Sequence, residues 1–246
     1  MTGTRTETIP LVDDSELPLV VSEPAGAVRG GIVILHAARG VTDRTTRIIE
    51  GLAAEGWLAV APHLHHREGD APDTDDPGTS ARGVSGESVL ADADASFGWL
   101  ADHGVSSDLM GVLGFDLGAT AALVVASQRS LGAAVTVAAA GVTEPLATGL
   151  PALMDVVGEL TCPWLGLYGE NGDAVDPADV DRLREAAHAS DRVVDVVVYP
   201  DGEHRFDAAE SRGGVSGDDL LAGPSGEASM VEARSRVLNW FDAHLR

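Results

Sequence analysis

Residues 109–127 read LMGVLGFDLGATAALVVAS, an apolar run, a glycine pair bracketing Asp116, and a second apolar run. The first run is short enough for a buried strand, and the second has the length and small residues of a packed helix. Between them, Gly114-Phe-Asp-Leu-Gly118 has the spacing of a sharp strand-to-helix elbow that lifts one side chain above a parallel sheet. The residue at that crest is usually a serine or cysteine nucleophile. Here it is an aspartate.

The flanking sequence fits a mostly parallel, doubly wound α/β sheet with helices on both faces. GGIVILHA at 30–37 and WLAVAP at 57–62 are continuous apolar runs of the kind found in buried parallel strands. Between them, Thr42 or Asp43 can cap a helix that buries Ile48, Ile49, Leu52 and Ala53 and ends at Gly56. Upstream, TETIPLVDDSELPLVVSEPAG alternates around a polar break and predicts an N-terminal β-hairpin. Residues 63–88 turn polar and predict a long surface loop. Beyond it, Val89, Leu90, Ala93, Phe97, Leu100 and Ala101 form the apolar stripe of a helix. AAVTVAAAG, PWLGLYG and VVDVVVYP supply further strands, and PALMDVVG, PADVDRLREAAHA and GEASMVEARSRVLNWFDAHL further helices. No repeat or linker interrupts this alternation, so residues 1–246 are expected to form one domain.

Composition narrows the function classes. Asp and Glu number 39 against 16 basic residues, all arginine, giving a formal net charge of −23. Such a field repels phosphate backbones and anionic bilayers, so neither nucleic acid nor membrane is an expected partner. The lysine-free composition reads as the codon bias of a GC-rich bacterium, with salt adaptation as the rival explanation. Cys162 is alone and cannot form an internal disulfide, and MTGTRTETIP lacks the profile of a signal peptide, so a cytoplasmic location is expected. Its place before Pro163, at the start of a strand, suits a buried structural thiol. The four tryptophans fall on predicted strands and helices and read as packing.

In an open parallel sheet, reactive groups gather beyond the carboxyl ends of the strands. The loops that leave those ends carry ARG, FDLG, ENGDAVDP and DGEHRF, which gives the chain order nucleophile, acid, histidine. With LHAARGVTDRTTRIIEGLAAEGWLAVAPHL, GFDLGATAAL, PWLGLYGENGDAVDP and YPDGEHRFD in register, the chain resembles the dienelactone hydrolase family from about residue 15 to its C-terminus. That family is a small branch of the α/β-hydrolases without a large cap domain. The resemblance implies catalytic roles for Asp116 and His204 and, as third member, an acid after the seventh strand: Asp173 first, Asp176 second. It also implies backbone N–H donors for an oxyanion at Leu117 and Ala38.

Two departures from the family pattern stand out. The usual cysteine is Asp116, and the glutamate that commonly follows position 36 is Ala37. Loss of both together is coherent, because a thiol-guarding carboxylate beside an aspartate would be repulsive. Attack by a carboxylate on an ester carbonyl would give a mixed anhydride, with little advantage over water. Attack on an sp³ carbon bearing an epoxide oxygen or halide gives an alkyl ester, which a histidine-activated water can hydrolyse. Leucine at 117 replaces the halide-binding side chain of the superfamily's dehalogenases, and Tyr168 and Tyr199 sit at strand ends rather than in a cap. Arg39, His63, His65, His66 or Arg205 can donate to the leaving group, and His36 and Arg205 are further pocket candidates; Arg205 is equally read as solvated. The histidine group 63–66 reads as pocket lining rather than as a metal site. No cofactor or metal is expected, and the partner is a small-molecule substrate of a monomer or homodimer. Two alternatives stay open: an acid/base lyase, isomerase or cyclase using Asp116 and His204, and an inactive family member that binds a ligand while Asp116 only accepts from its helix N-terminus.

Overall fold

The computed structural model describes residues 3–37, 39–67, 85–171, 175–203 and 227–245. Eight strands form one sheet: β1 (Thr4–Pro10), β2 (Glu16–Ser22), β3 (Gly31–Leu35), β4 (Leu58–Pro62), β5 (Met110–Phe115), β6 (Ala133–Val137), β7 (Trp164–Asn171) and β8 (Val194–Glu203). Their spatial order is β1-β2-β4-β3-β5-β6-β7-β8. β1 and β2 form the expected hairpin, Thr4 facing Ser22 and Pro10 facing Glu16, and β2 runs antiparallel to β4. From β4 to β8 every pairing is parallel.

The helices are α1 (Asp43–Ala54), α2 (Gly86–Asp102), α3 (Leu117–Gln128), the single turn α4 (Leu153–Val156), α5 (Pro177–Ala187) and α6 (Glu227–His244). Thr42 caps α1 as part of a capping box with Thr45, and Gly56 follows at φ +98°, a left-handed conformation that suits glycine at a helix end. Ile48, Ile49 and Leu52 of α1 and Val237 and Phe241 of α6 fill a core on one face of the sheet. α2, α3, α4 and α5 fill the other through Val89, Leu100, Leu123, Leu153 and Leu183. α3 is buried along nearly its whole length, which is why its sequence shows no polar stripe. Among the described residues there is no large cap over the sheet, and no helix is long and apolar enough to cross a membrane.

Several elements differ from their sequence reading: β6 stops at Val137, short of the run to Gly141, β7 runs on to Asn171, and α2 starts at Gly86, inside the expected loop. The helix expected at PALMDVVG is one turn followed by a 3₁₀ turn over Val157–Glu159. β8 continues through Pro200 to Glu203. As the outer strand of the sheet, it tolerates a residue without an N–H.

The connectivity positions the site. From β3 the chain passes through α1 to β4 on one side, then crosses back through α2 to β5 on the other side of β3. That reversal opens a crevice above the carboxyl ends of β3 and β5, where Leu35 pairs with Gly114.

Candidate active site

Asp116 stands at this crevice. Its backbone has φ 50° and ψ −113°, a conformation that non-glycine residues rarely adopt, and it forms the N-cap of α3. The strained crest is held on both sides. Asp116 N–H donates to the Val137 carbonyl at 3.1 Å, and the Asp116 carbonyl accepts from Thr120 N–H at 3.0 Å. Such strain persists only where surrounding structure over-determines it, and it concentrates at functional sites.

The two glycines have steric causes. A methyl group at Gly114 would lie 2.2 Å from the Gly118 carbonyl oxygen, inside the elbow itself. A methyl at Gly118 would lie 2.1 Å from the Leu35 carbonyl oxygen and 2.7 Å from that of His36. The spacing read from the sequence is thus a packing requirement: α3 must press its first turn onto the end of β3.

The sequence reading has the carboxylate standing open above the sheet. The structure corrects this, since Asp116 is only 2 % exposed. On the same helix the Thr120 hydroxyl donates to the Ala140 carbonyl at 2.7 Å and accepts from Ala140 N–H at 3.1 Å, tying the loop after β6 to α3. Thr120 is a buried brace beside the elbow that the sequence reading did not single out; with Ser127 it is one of two hydroxyls in the helix.

His36 leaves β3 at the other wall of the crevice. It is 2 % exposed, and both ring nitrogens engage backbone. Nε2 accepts the Leu64 N–H at 3.0 Å, which places the proton on Nδ1, and Nδ1 donates to the Ala37 carbonyl at 2.7 Å. Burial, reinforced by the neighbouring His65 and His63 and opposed by the bond to Ala37, pushes the imidazole down to about 3. His36 is therefore a neutral ring that organises backbone.

His63 leaves β4, the strand beside β3, so His36, His63 and Asp116 emerge from three adjacent strand ends. His63 is half-buried, and burial together with nearby His66 holds it below the usual histidine range. Arg39 is exposed on the loop after β3. Leu117 is 1 % exposed, and its N–H lies in the first turn of α3, where helix geometry provides no intrahelical acceptor. Tyr168 and Tyr199 are buried in the two opposite cores. Asp176 is exposed and caps α5, accepting the Ala178 N–H at 2.8 Å.

Ala38, Asp173, His204, Arg205 and most of the predicted loop 63–88 lie outside the described residues. The strands leading to two of them are described. Asn171 of β7 and Glu203 of β8, the last described residues before positions 173 and 204 in the sequence, are register partners. Among the described residues, no group of three or more histidine, cysteine or acidic side chains is arranged to hold a metal ion.

Comparison with known proteins agrees with this architecture. A protein of Salmonella typhimurium named as a carboxymethylenebutenolidase is 31 % identical over 215 residues, covering 85 % of this chain and 76 % of the relative. One of Escherichia coli K12 with the same name is 30 % identical over 216 residues, covering 85 % and 75 %. A Klebsiella pneumoniae crystal structure described as a dienelactone hydrolase superposes with a TM-score of 0.84 at 26 % identity, covering 98 % of this chain and 99 % of that one. An esterase of Pyrococcus furiosus shares the fold with a TM-score of 0.71 at 16 % identity, covering 100 % and 94 %. The dienelactone hydrolase family model matches residues 17–245, and by that match this chain is a hydrolase belonging to the dienelactone hydrolase family.

Proposed function

We propose that this hydrolase opens an epoxide or related sp³ electrophile through an alkyl-enzyme ester on Asp116. The observation that carries the reading is the position of a carboxylate on the strained crest at φ 50°, between two glycines that cannot bear a side chain. Strain of this kind concentrates at functional sites, and here it holds a carboxylate beyond the end of β5. In the first step a carboxylate oxygen forms a bond to the electrophilic carbon as the carbon–oxygen or carbon–halogen bond breaks. In the second, water attacks the ester carbonyl carbon, and the product alcohol leaves with the original carboxylate oxygen.

His204 is the base that activates this water, and Asp173 orients it. The β7–β8 pairing of Asn171 with Glu203 supports that assignment at the backbone level. The capping role of Asp176 favours Asp173 over it as the third member. The first-turn N–H of Leu117 and the amide of Ala38 serve the oxyanion of the second step. The bond from His36 to the Ala37 carbonyl holds the described residue that precedes Ala38 in the loop. His63 and Arg39 are the described candidates for protonating or binding the leaving group. The whole chain acts as one catalytic domain on a small molecule.

A single turnover in ¹⁸O-water tests the reading. An ester intermediate leaves the label in the Asp116 carboxylate, whereas direct attack by water, or an acid/base reaction on the substrate, leaves Asp116 unlabelled. A chain that binds ligand without turnover would instead give only a ligand-dependent rise in Tm.

A further inference from the structure

A buried polar cluster lies between α2 and the turn that follows β4. Asp92 lies beside the apolar stripe of α2 and is fully buried. Arg67 Nη1 donates to its Oδ1 at 2.9 Å and lies 2.8 Å from His66 Nε2. His66 Nε2 is itself 3.3 Å from the carboxylate. The same arginine reaches outward, its Nε donating to Asp13 of the β1–β2 turn at 3.3 Å.

This cluster connects to the crevice by a continuous set of contacts. The turn closes through His66 N–H to the His63 carbonyl at 3.0 Å, and the His65 ring stacks on His36 at 5.5 Å between centroids. Leu64 N–H, in the same turn, occupies His36 Nε2, and His36 Nδ1 holds the Ala37 carbonyl. A carboxylate buried on a helix face is costly unless it is paired, and Asp92 is paired with Arg67, which ties α2 to the turn after β4.

We propose that Asp92 is a positioning residue for the loop after β3: by gripping Arg67 and His66 it fixes the 63–67 turn, which locks His36 as its Nδ1–H tautomer and orients the Ala37 peptide at the crevice. The geometric part stands on the contacts alone. Only its kinetic consequence rests on the reading of Asp116 as nucleophile.

The test uses the full chain with ¹⁵N-labelled histidine, the His36 ring being assigned from the spectrum of His36→Gln. At pH 8 the wild type should show a single Nδ1–H neutral tautomer at His36. Asp92→Asn and Arg67→Gln, each verified as folded by circular dichroism, should show averaged nitrogen shifts with a substantial Nε2–H population. With a terminal epoxide as the probe, hydrolysis of the Asp116 adduct in a single turnover should slow about tenfold in both variants, while the rate at which the adduct forms changes less than about twofold. A locked His36 tautomer in the folded variants would overturn the proposal and leave Asp92 a packing group. If the wild type forms no adduct, the nucleophile reading fails while the ring spectra still decide the positioning role. Should Asp92→Asn not fold, Arg67→Gln decides from the partly exposed side of the pair, where the arginine side chain is 22 % exposed.

Discussion

Gly118 and Leu35 meet backbone to backbone: a methyl group on the glycine would sit 2.1 Å from the Leu35 carbonyl oxygen. Neither side has a flexible group that can yield. Gly118→Ala should therefore lower the unfolding free energy by about 3 kcal/mol and abolish activity, as measured by urea denaturation and turnover. Gly98, exposed on α2 with open space within 4 Å of where a methyl would project, is the matched control. Gly98→Ala should stabilise by up to ~1 kcal/mol.

Asp116 should show a trade-off between stability and activity. Its φ of 50° is unstrained for glycine, so Asp116→Gly should raise stability by about 1 kcal/mol while eliminating turnover. Asp116→Asn keeps the size and shape of the side chain and should fold normally, with kcat down by about 10³-fold or more. Retained activity in either variant would remove Asp116 from the chemistry.

Acid should destabilise the fold through His36. Its folded value is depressed from 6.5 to about 3, so between those values the unfolded chain binds a proton that the folded chain does not. The stability supplied by neutral His36 is complete above about pH 6.5 and is lost as pH falls toward 3, at about 1.4 kcal/mol per pH unit. Asp92 contributes in the opposite sense, because burial raises its carboxyl against the pull of Arg67, and its share of stability fades as pH rises through its folded value. Subtracting the urea midpoints of His36→Gln from those of the wild type between pH 4 and 7 isolates the histidine. A flat difference would contradict the buried, neutral ring.

Cys162 should be inert. It is fully buried, and burial, only partly offset by Arg192, pushes its thiol up to about 12. Iodoacetamide at pH 8 should label it only after denaturation, and Cys162→Ser should keep its activity. Rapid labelling of the native protein, or loss of turnover in the serine variant, would reopen the thiol as nucleophile.

The elbow was legible in the chain because its signals are local. Gly114, Asp116 and Gly118 lie within five residues, and the crowding that selects the glycines comes from the turn itself and the adjacent strand end. A cap at Thr42 or Asp43 was legible for the same reason, the structure choosing Thr42, as was the hairpin of β1 and β2. His36 was not. Its partner Leu64 is 28 positions away, and an imidazole after an apolar run reads equally as a ligand, a pocket wall or a brace. Asp92 was not legible either: it lies beside the predicted apolar stripe, and nothing in its surroundings named Arg67 or His66, 25 and 26 residues upstream.

By itself, then, the sequence determined the alternation of strand and helix, the crest that carries a carboxylate and the chain order of the loops around it, all set by periodicity and steric rules over a few residues. Tertiary structure alone decided the strand order that opens the crevice between β3 and β5, the 2 % exposure of Asp116, and the capture of His36 by a distant amide. These depend on which buried polar groups find partners across the fold, and a buried N–H or carboxylate is satisfied by whatever the packed sheet brings within about 3 Å, regardless of its place in the chain.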